Sequence, residues 1–362
     1  MDIYKKSFFV CPTKEGVYMN KVYLVEKLNK KSFLSFILYP FSLFFAFIVC
    51  CRRLVYTIIP SFSYKSKAKI ISIGNITSGG SGKTPYVLYL AKQLSKKHKI
   101  AIVLRGYKGN LERENVIVTT EFIKDAGDEA TLYVQKLPNI PVCVGKNRVK
   151  SIKLLEKKIP DLEIILLDDA FQNLNVHQDT RICVFNANNP ISNGLCLPAG
   201  LLREPLKNLK YADTFVIIGE NYNFQKKLEK FNKPITVGYY IISKIVIATP
   251  FVDNNKENNQ HFENVEEKKI SINTLMNKKI ILLSGIGNPK SFEHTINKAG
   301  LTFLKHIKLP DHFCYTQKFL DSLNNIPKKK YDFIITTEKD YTKIKKLKTT
   351  FPLLVVHIEF QL

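Results

Sequence analysis

The sequence of 362 residues predicts an α/β protein with a parallel sheet, an apolar N-terminal helix and a smaller second α/β lobe. Three observations predict this fold class. Strands rich in Ile and Val alternate with helical stretches, a glycine-rich segment joins one strand to a helix, and a long uncharged run precedes both. Strands that are apolar on both faces and separated by helices are typical of a parallel sheet covered on both sides.

The composition narrows the kinds of partner that the chain can have. The formal net charge is +24, which favours anionic partners such as a phospholipid surface or a phosphorylated substrate. The basic residues are scattered, without an arginine-rich arm or zinc-finger spacing, so nucleic acid is not an expected partner. The seven Cys form no C-x-x-C pair, and free thiols in a reducing compartment are expected.

The N-terminal part of the chain divides into a polar extension and an apolar helix. Residues 1–31 are polar and contain seven Lys. Residues 32–53 are predicted as a membrane-associated helix, because residues 33–51 carry no charge and as a helix would extend about 28 Å, close to the hydrocarbon thickness of a bilayer. Basic residues flank both ends, and Pro40 predicts a kink. A single span and a shallow interfacial anchor both remain open.

The predicted α/β elements fall into two groups along the chain. Strands of the first group are KIISIG, KIAIVLRGY, EIILLDDAF, TRICVFNA and TFVIIGE, and the helix TPYVLYLAKQLSKK follows the first of them. Residues 253–269 are polar and Asn-rich, and residues 246–269 are predicted to form a linker. Residues 270–362 are predicted as a smaller C-terminal α/β domain with strands KIILLSGIG and DFIITTEKD and the helix PKSFEHTINKAG.

The glycine-rich segment resembles a P-loop. Residues 77–84 read TSGGSGKT, with Thr77 where the first Gly of G-x-x-x-x-G-K-[ST] belongs. In this pattern backbone N–H groups cradle phosphates, Lys83 reaches the β- and γ-phosphates and Thr84 ligates Mg²⁺. The predicted nucleotide-binding residues of the loop are Thr77, Ser78, Gly79, Gly80, Ser81, Gly82, Lys83 and Thr84. Residues 54–245 are therefore predicted as a P-loop NTPase-like nucleotide-binding domain, the alternative being a glycine-rich turn with an incidental Lys.

Acidic residues stand at two further places where chemistry is expected. Asp168 and Asp169 follow a buried strand, where a Walker B carboxylate would help to hold Mg²⁺ or an Asp would cap a helix. Asp128 and Glu129 precede an apolar stretch, which suits either a helix cap or a carboxylate that deprotonates an acceptor hydroxyl.

Two basic residues have similarly open interpretations. His312 is one of seven His and, taken alone, more often has a structural role. Arg203, beside Glu204, is interpreted equally well as a phosphate clamp or as half of a surface salt bridge.

Taken in order, these segments resemble the tetraacyldisaccharide 4′-kinase family, the lipid A 4′-kinases. The segments are the apolar helix, GNITSGGSGKTP, RGY, GDE, DDAFQ, LPAGLLREP, PDH and TTEKD, and the likeness covers roughly residues 33–345. The resemblance implies an enzyme that uses ATP and Mg²⁺ to phosphorylate the 4′-hydroxyl of a tetraacyldisaccharide 1-phosphate in lipid A biosynthesis. It also implies a location at the cytoplasmic face of the bacterial inner membrane, contact with the lipid surface, and no obligate protein partner.

The resemblance also implies roles for particular residues. Asp128 would be the catalytic base, His312 would pair with it from the second lobe, and Lys83 would act on the transferred phosphate. Gln172 and Arg203 would contact the nucleotide, and Arg105 and Tyr107 of the RGY segment would lie near the acceptor. The implied metal-binding residues are Thr84, Glu129, Asp168, Asp169 and Glu204.

Some positions depart from the family pattern and keep other functions open. Ala170 stands in place of Gly, Asn173 and Phe313 each in place of His, and Leu201 in place of Pro. These departures bear on metal geometry and on the preferred acceptor. The alternative functions are a membrane-associated P-loop ATPase switch and an anchored nucleotide-binding scaffold.

Overall fold

The computed structural model describes residues 32–79, 82–107, 109–119, 125–248, 269–311, 313–327, 330–345 and 347–362. The polar extension, Gly80, Ser81, His312 and most of the predicted linker lie outside the described residues. The described residues form two compact units. The larger contains residues 32–240 and Glu359–Leu362, and the smaller contains Ile241–Ile358. The predicted domain boundary at residue 245 thus lies five residues beyond the change of unit, and the last four residues belong to the larger unit.

The apolar N-terminal segment forms two helices instead of one. Helix α1 is Phe33–Ile37 and helix α2 is Tyr39–Ile58. The break falls at Leu38 because Pro40 occupies the first turn of α2, where a missing N–H costs nothing. Among the described residues, α2 is the one helix long and apolar enough to cross a membrane by length and composition. Only 11% of its most apolar window is buried inside the protein.

The larger unit is built on a mostly parallel sheet. Its strands, in chain order, are β1 Lys69–Gly74, β2 Ile100–Leu104, β3 Val116–Ile117, β4 Val142–Val144, β5 Ile164–Asp168, β6 Thr180–Asn186, β7 Thr214–Ile218 and β8 Ile235–Ile247. The spatial order is β8-β7-β6-β1-β5-β2-β4-β3, and only the β3–β4 pair is antiparallel. Strand β1 is central and pairs in parallel with both β5 and β6.

Helices and two apolar clusters cover both faces of this sheet. The helices are α3 Lys83–Leu94, α4 Asp128–Lys136, α5 Arg148–Lys158 and α6 Tyr222–Glu229, with short 3₁₀ turns at Pro60–Phe62, Asn110–Arg113 and Leu206–Tyr211. Ile70 and Leu167 belong to the cluster on one face, and Phe185 and Phe215 to the cluster on the other. Burial on both faces explains why these strands are continuously apolar in sequence.

The smaller unit has its own parallel strands. Its elements are β9 Lys269–Ile270, α7 Ile272–Leu275, β10 Ile280–Ser284, α8 Pro289–Lys298, β11 Lys305–Lys308, α9 Gln317–Leu323, β12 Phe333–Thr337, α10 Glu338–Ile344 and β13 Leu353–Gln361. The spatial order is β11-β10-β12-β13, with parallel pairing throughout. The predicted strands and helix of this region are found in the structure, whereas β9, β11 and β13, like β3, β4 and β8 of the larger unit, were not predicted.

Candidate active site

The glycine-rich segment lies between β1 and α3, as its pattern predicts. Gly82 is the residue before α3 and has φ +79°, and Gly79 has φ +109°, a backbone conformation that favours glycine. The backbone of the loop is tied to a distant segment, because Ser78 N–H donates to the Leu201 carbonyl over 2.7 Å. Thr77 also forms an antiparallel bridge with Leu202. The residues of the LPAGLLREP motif thus lie beside the phosphate loop.

A cluster of alternating charges surrounds the Lys83 ammonium group. Lys83 Nζ lies 3.0 Å from Asp169 Oδ1 and donates to Asn75 Oδ1 over 3.1 Å. Arg203 Nη1 binds the same Asp169 carboxylate at 3.0 Å. Desolvation opposes ionisation of Asp169, but Lys83 and Arg203 outweigh it and hold the pKa of this carboxyl below its ordinary value. The result is an ionised carboxylate between two cations that a nucleotide phosphate would also attract.

Asp168 has a different environment from its neighbour. It is 5% exposed at the end of β5, and its Oδ2 accepts a hydrogen bond from the Tyr133 hydroxyl over 2.7 Å. Burial raises its pKa to about 6, against the lowering effects of Lys83 and Tyr133. The Thr84 side chain is a second hydrogen-bond partner of Tyr133. Tyr133 therefore connects Asp168 and Thr84, two of the five residues that the resemblance assigns to a metal.

The oxygen atoms around Asp168 fit a magnesium ion completed by phosphate. Its buried Oδ1 has no hydrogen-bond partner among the described residues, and a buried acceptor without a partner is costly unless a cation binds it. In the described part of the chain, no three His, Cys, Asp or Glu side chains form a metal-binding group. Mg²⁺ is usually held by one or two carboxylates together with substrate phosphates and water, which suits this arrangement.

Asp128 and Glu129 occupy the first turn of α4. The residue that caps this helix is Gly127, with φ +90°, and no side chain makes a capping hydrogen bond. The capping role that the sequence left open for Asp128 is thus not the one observed. Both side chains are partly exposed, and the Glu129 carboxylate acts to raise the pKa of Asp168. The first turn of α4 therefore carries acidic groups near the end of β5.

Arg148 is a buried cation near the site that motif reasoning missed. Its guanidinium donates to the Gly145 carbonyl over 2.6 Å and to the Asp168 carbonyl over 3.4 Å. Burial lowers its pKa to about 10. The GKNRVK segment gave no functional signal for this residue, because nothing local shows that α5 directs it toward the end of β5. Tyr133 and Asn75 were missed for the same reason.

Glu204 lies in a buried ion pair. Its carboxylate receives hydrogen bonds from Arg53 Nε at 2.5 Å, Arg53 Nη2 at 2.7 Å and Asn208 Nδ2 at 2.9 Å, and the residue is 1% exposed. Both carboxylate oxygens are therefore engaged by the protein. The metal-binding role implied by the resemblance stays a prediction, but this geometry favours a structural link from Glu204 to helix α2.

The other predicted site residues are placed as follows. The Gln172 side chain donates to the Asn75 carbonyl over 2.8 Å, which puts it beside the loop. Arg105 Nε pairs with Glu112 at 2.5 Å, and its guanidinium lies 6.0 Å from the Tyr107 ring. Tyr107 is 46% exposed. The structure thus places Gln172 beside the P-loop and gives Arg105 local partners within the RGY region.

A cavity of about 290 Å³ lies between helix α2 and the phosphate site. Its apolar side comes from Phe45, Val49 and two leucines, and its polar side comes from Arg52, Arg53, Gln172, Arg203 and Glu204. Apolar walls with a few convergent polar groups are the usual composition of a ligand site.

The larger unit defines the class of protein. A central parallel strand runs into a glycine-rich loop, a Lys begins the next helix, and two Asp end the neighbouring strand, so the chain is a P-loop nucleotide-binding α/β protein. More specifically, the chain belongs to the tetraacyldisaccharide-1-P 4′-kinase family, whose model matches residues 34–362. The resemblance based on the ordered motifs is thereby confirmed.

Individual relatives cover most of the chain. The tetraacyldisaccharide 4′-kinase of Halothermothrix orenii is 31% identical, over 86% of this chain and 83% of that protein. The enzyme of the same name from Francisella tularensis subsp. novicida is 33% identical, over 88% of this chain and 92% of its own length. The crystal structure of Aquifex aeolicus LpxK in complex with ATP matches with a TM-score of 0.66 and 26% identity, covering 91% of this chain and 95% of that one. The predicted α/β fold class is confirmed by this match.

Proposed function

We propose that the chain transfers the γ-phosphate of ATP to the 4′-hydroxyl of a tetraacyldisaccharide 1-phosphate in lipid A biosynthesis. The observation that supports this most directly is the cluster of Lys83, Asp169 and Arg203 at the P-loop, in a chain that belongs to this kinase family. The relatives are named for this reaction, and the Aquifex aeolicus protein was solved with ATP. Binding of ATP would let Lys83 and Arg203 exchange a carboxylate for phosphate oxygens.

Asp168 and Thr84 are the residues that would hold Mg²⁺. When bound, the ion supplies positive charge that neutralises the phosphate oxygens during transfer. A bound cation would lower the pKa of Asp168, since its charge compensates for the burial that raises this pKa. Tyr133 holds Oδ2 of Asp168 and so leaves Oδ1 for the ion. The metal-binding roles that the resemblance implies for Glu129 and Asp169 stay predictions.

Asp128 is the residue that we assign as the general base. It is partly exposed in the first turn of α4, whereas Asp168 is buried and Asp169 is paired with two cations. A base must reach the acceptor hydroxyl, which a partly exposed carboxylate can do, and Asp128 matches the GDE aspartate to which the family resemblance gives this role. The pairing of His312 with Asp128 stays a prediction from the family resemblance.

The acceptor lipid would lie at helix α2, between the membrane and the P-loop. Large apolar side chains along α2 are exposed, including Phe41, Phe44 and Phe47 at 63–66%. A surface of this size in a soluble protein indicates a lipid or protein interface. The chain is therefore proposed to act at the cytoplasmic face of the inner membrane, with Arg52 and the cavity contacting the phosphorylated lipid.

Transfer of label from ATP to the lipid tests this function. The purified protein in detergent is incubated with γ-labelled ATP, Mg²⁺ and a tetraacyldisaccharide 1-phosphate, and the lipids are separated. We expect label in the lipid and little release of inorganic phosphate. Hydrolysis of ATP at the same rate with and without the lipid, with no labelled lipid, would instead support an ATPase switch, and nucleotide binding without turnover would support a scaffold.

We expect the triple variant Phe41→Ser/Phe44→Ser/Phe47→Ser to bind vesicles much more weakly than the wild type. Moving a Phe side chain out of water contributes about 1.5–3 kcal/mol, so three partly inserted rings predict at least a roughly 100-fold loss of partitioning. The measurement is co-sedimentation with vesicles that contain anionic phospholipid.

The control for this prediction removes three exposed apolar side chains elsewhere. Tyr222→Ser/Met276→Ser/Leu304→Ser changes residues that are 68%, 46% and 62% exposed. We expect it to sediment with vesicles as the wild type does. Equal losses for the two triple variants would mean that α2 is not the membrane-binding surface.

A further inference from the structure

Helix α2 has two buried residues in its exposed, apolar length, and one of them is a charged Arg. These residues are Ser42 and Arg53, and Arg53 is 4% exposed. A buried charge needs paired and hydrogen-bonded partners to persist. The neighbouring Arg52 is exposed. Two adjacent Arg of one helix therefore have different environments, and only Arg53 lies inside the protein.

The Arg53 guanidinium holds two separate segments of the larger unit. Its Nε and Nη2 donate to the two oxygens of Glu204, and Nη2 also donates to the Phe171 carbonyl over 2.9 Å. The guanidinium lies over the Phe171 ring at 4.8 Å and over the Tyr211 ring at 4.9 Å. Such fork-shaped pairing needs the fixed plane of a guanidinium, which an ammonium group cannot reproduce.

Both segments lead directly to the phosphate site. Glu204 is adjacent to Arg203, and Phe171 is two residues from Asp169, whose backbone has φ +52°. Arg203 and Asp169 form the ion pair beside Lys83. The Arg53 guanidinium thus binds the residue next to Arg203 and a residue two positions from Asp169. It therefore contacts both segments that carry this ion pair.

The close packing of these segments transmits a displacement. A Cβ atom on Gly74 would come within 2.6 Å of the Phe171 backbone nitrogen, so Phe171 already lies against the end of β1. Arg203 N–H donates to the Ile76 carbonyl over 2.7 Å, two residues beyond the end of the same strand. A shift of either segment would move a phosphate-binding side chain, because close-packed interiors transmit strain.

We propose that Arg53 is a positioning residue that fixes the Asp169–Arg203 pair through Phe171 and Glu204, which makes helix α2 part of the nucleotide site as well as a membrane anchor. This inference rests on the proposed ATP site. It does not depend on the identity of the acceptor lipid.

Calorimetric titration of the full-length, detergent-solubilised protein with Mg·ATP tests this role, because it reports the dissociation constant and the fraction of competent molecules separately. We expect Arg53→Met to weaken ATP binding at least about 10-fold, the size expected for disturbing a charged hydrogen bond to phosphate. A residue that only stabilises the fold would lower the fraction of competent molecules and leave the dissociation constant unchanged.

Ser42→Ala is the matched control. Ser42 is the other buried residue of α2, and its hydroxyl donates to the Cys196 carbonyl over 2.8 Å, whereas Glu204 and Phe171 are partners of Arg53. We expect its dissociation constant to stay within about two-fold of the wild type, because Glu204 and Phe171 keep their guanidinium partner. If Arg53→Met does not fold, the same titration is made with Arg53→Lys, and weaker ATP binding is again expected. One ammonium group cannot hold Glu204 through two donors and Phe171 as well.

Two results would overturn the proposal. One is a wild-type dissociation constant in the Arg53 variant with only the competent fraction reduced. The other is equal weakening in Ser42→Ala, which would mean that general seating of the helix matters and Arg53 does not. A wild-type protein that binds ATP but labels no lipid would refute the proposed kinase function and leave this test intact.

Discussion

Replacing Asp128 by Asn is expected to lower kcat for lipid phosphorylation by about 10²–10⁴-fold, the usual contribution of a positioned general base. Asn has nearly the shape of Asp but cannot take the proton of the acceptor hydroxyl. The dissociation constant for ATP should change little, because Lys83, Arg203 and the loop backbone remain. The measurement compares the initial rate of label transfer with a separate nucleotide titration.

Asp125→Asn provides the control for this prediction. Asp125 belongs to the same DAGDE segment, and its carboxylate accepts a hydrogen bond from the Asn110 side chain over 2.6 Å. The change keeps an acceptor at this partly buried position, so activity near that of the wild type is expected. If the two variants lose activity equally, the segment has a structural role and Asp128 is not the base.

Replacing Lys83 by Met is expected to remove most of the kinase activity, because it removes a positive charge from the proposed phosphate site. The ammonium group lies 3.0 Å from Asp169 Oδ1 and is 13% exposed, so its loss leaves the Asp169 carboxylate facing Arg203 alone. A preorganised charge at a reacting group typically contributes about 10²–10³-fold to kcat. Unlike Asp128→Asn, this variant should also bind ATP more weakly, because the Lys of a P-loop is expected to contact phosphate in the ground state.

The other end of helix α3 supplies the control for Lys83. Lys92 is 44% exposed and pairs with Glu359 at 2.8 Å. Lys92→Met removes the same charge from the same helix, and exposed ion pairs contribute little to stability. We therefore expect steady-state kinetics to give nearly wild-type kcat and KM for ATP in Lys92→Met, and the losses predicted above in Lys83→Met. An Lys83→Met enzyme with unchanged kcat and KM for ATP would contradict the P-loop role.

The positions of the catalytic motifs could be read from the sequence because each depends on local pattern. A strand, a glycine-rich turn and a helix are encoded within the sixteen residues of ISIGNITSGGSGKTPY, and Gly82 and Lys83 have the predicted places. The Asp168–Asp169 pair likewise follows a strand that is recognisable from four apolar residues. Parallel strands bring such ends to one edge of the sheet, which is why Lys83 and Asp169 lie close together.

The hydrogen-bond and ion-pair partners of individual residues could not be predicted from local sequence patterns. The carboxylates of Asp168 and Asp169 are adjacent in sequence, yet one is buried beside Tyr133 and the other is paired with Lys83 and Arg203. Helix α2 continues to Ile58, beyond the predicted end at residue 53, and within it Arg53 is buried and donates to the Phe171 carbonyl. These features depend on residues that are far apart in the chain.

The sequence by itself determined the fold class, the kinase family and the places where phosphate, metal and membrane chemistry are expected, since periodicity, spacing and motif order are local properties. Only the tertiary structure decided that Glu204 binds Arg53, 151 residues away, and that Arg148 lies behind Asp168. The physical reason is that a buried charge takes whichever partner the packed chain brings within about 3 Å, and no local pattern specifies that partner.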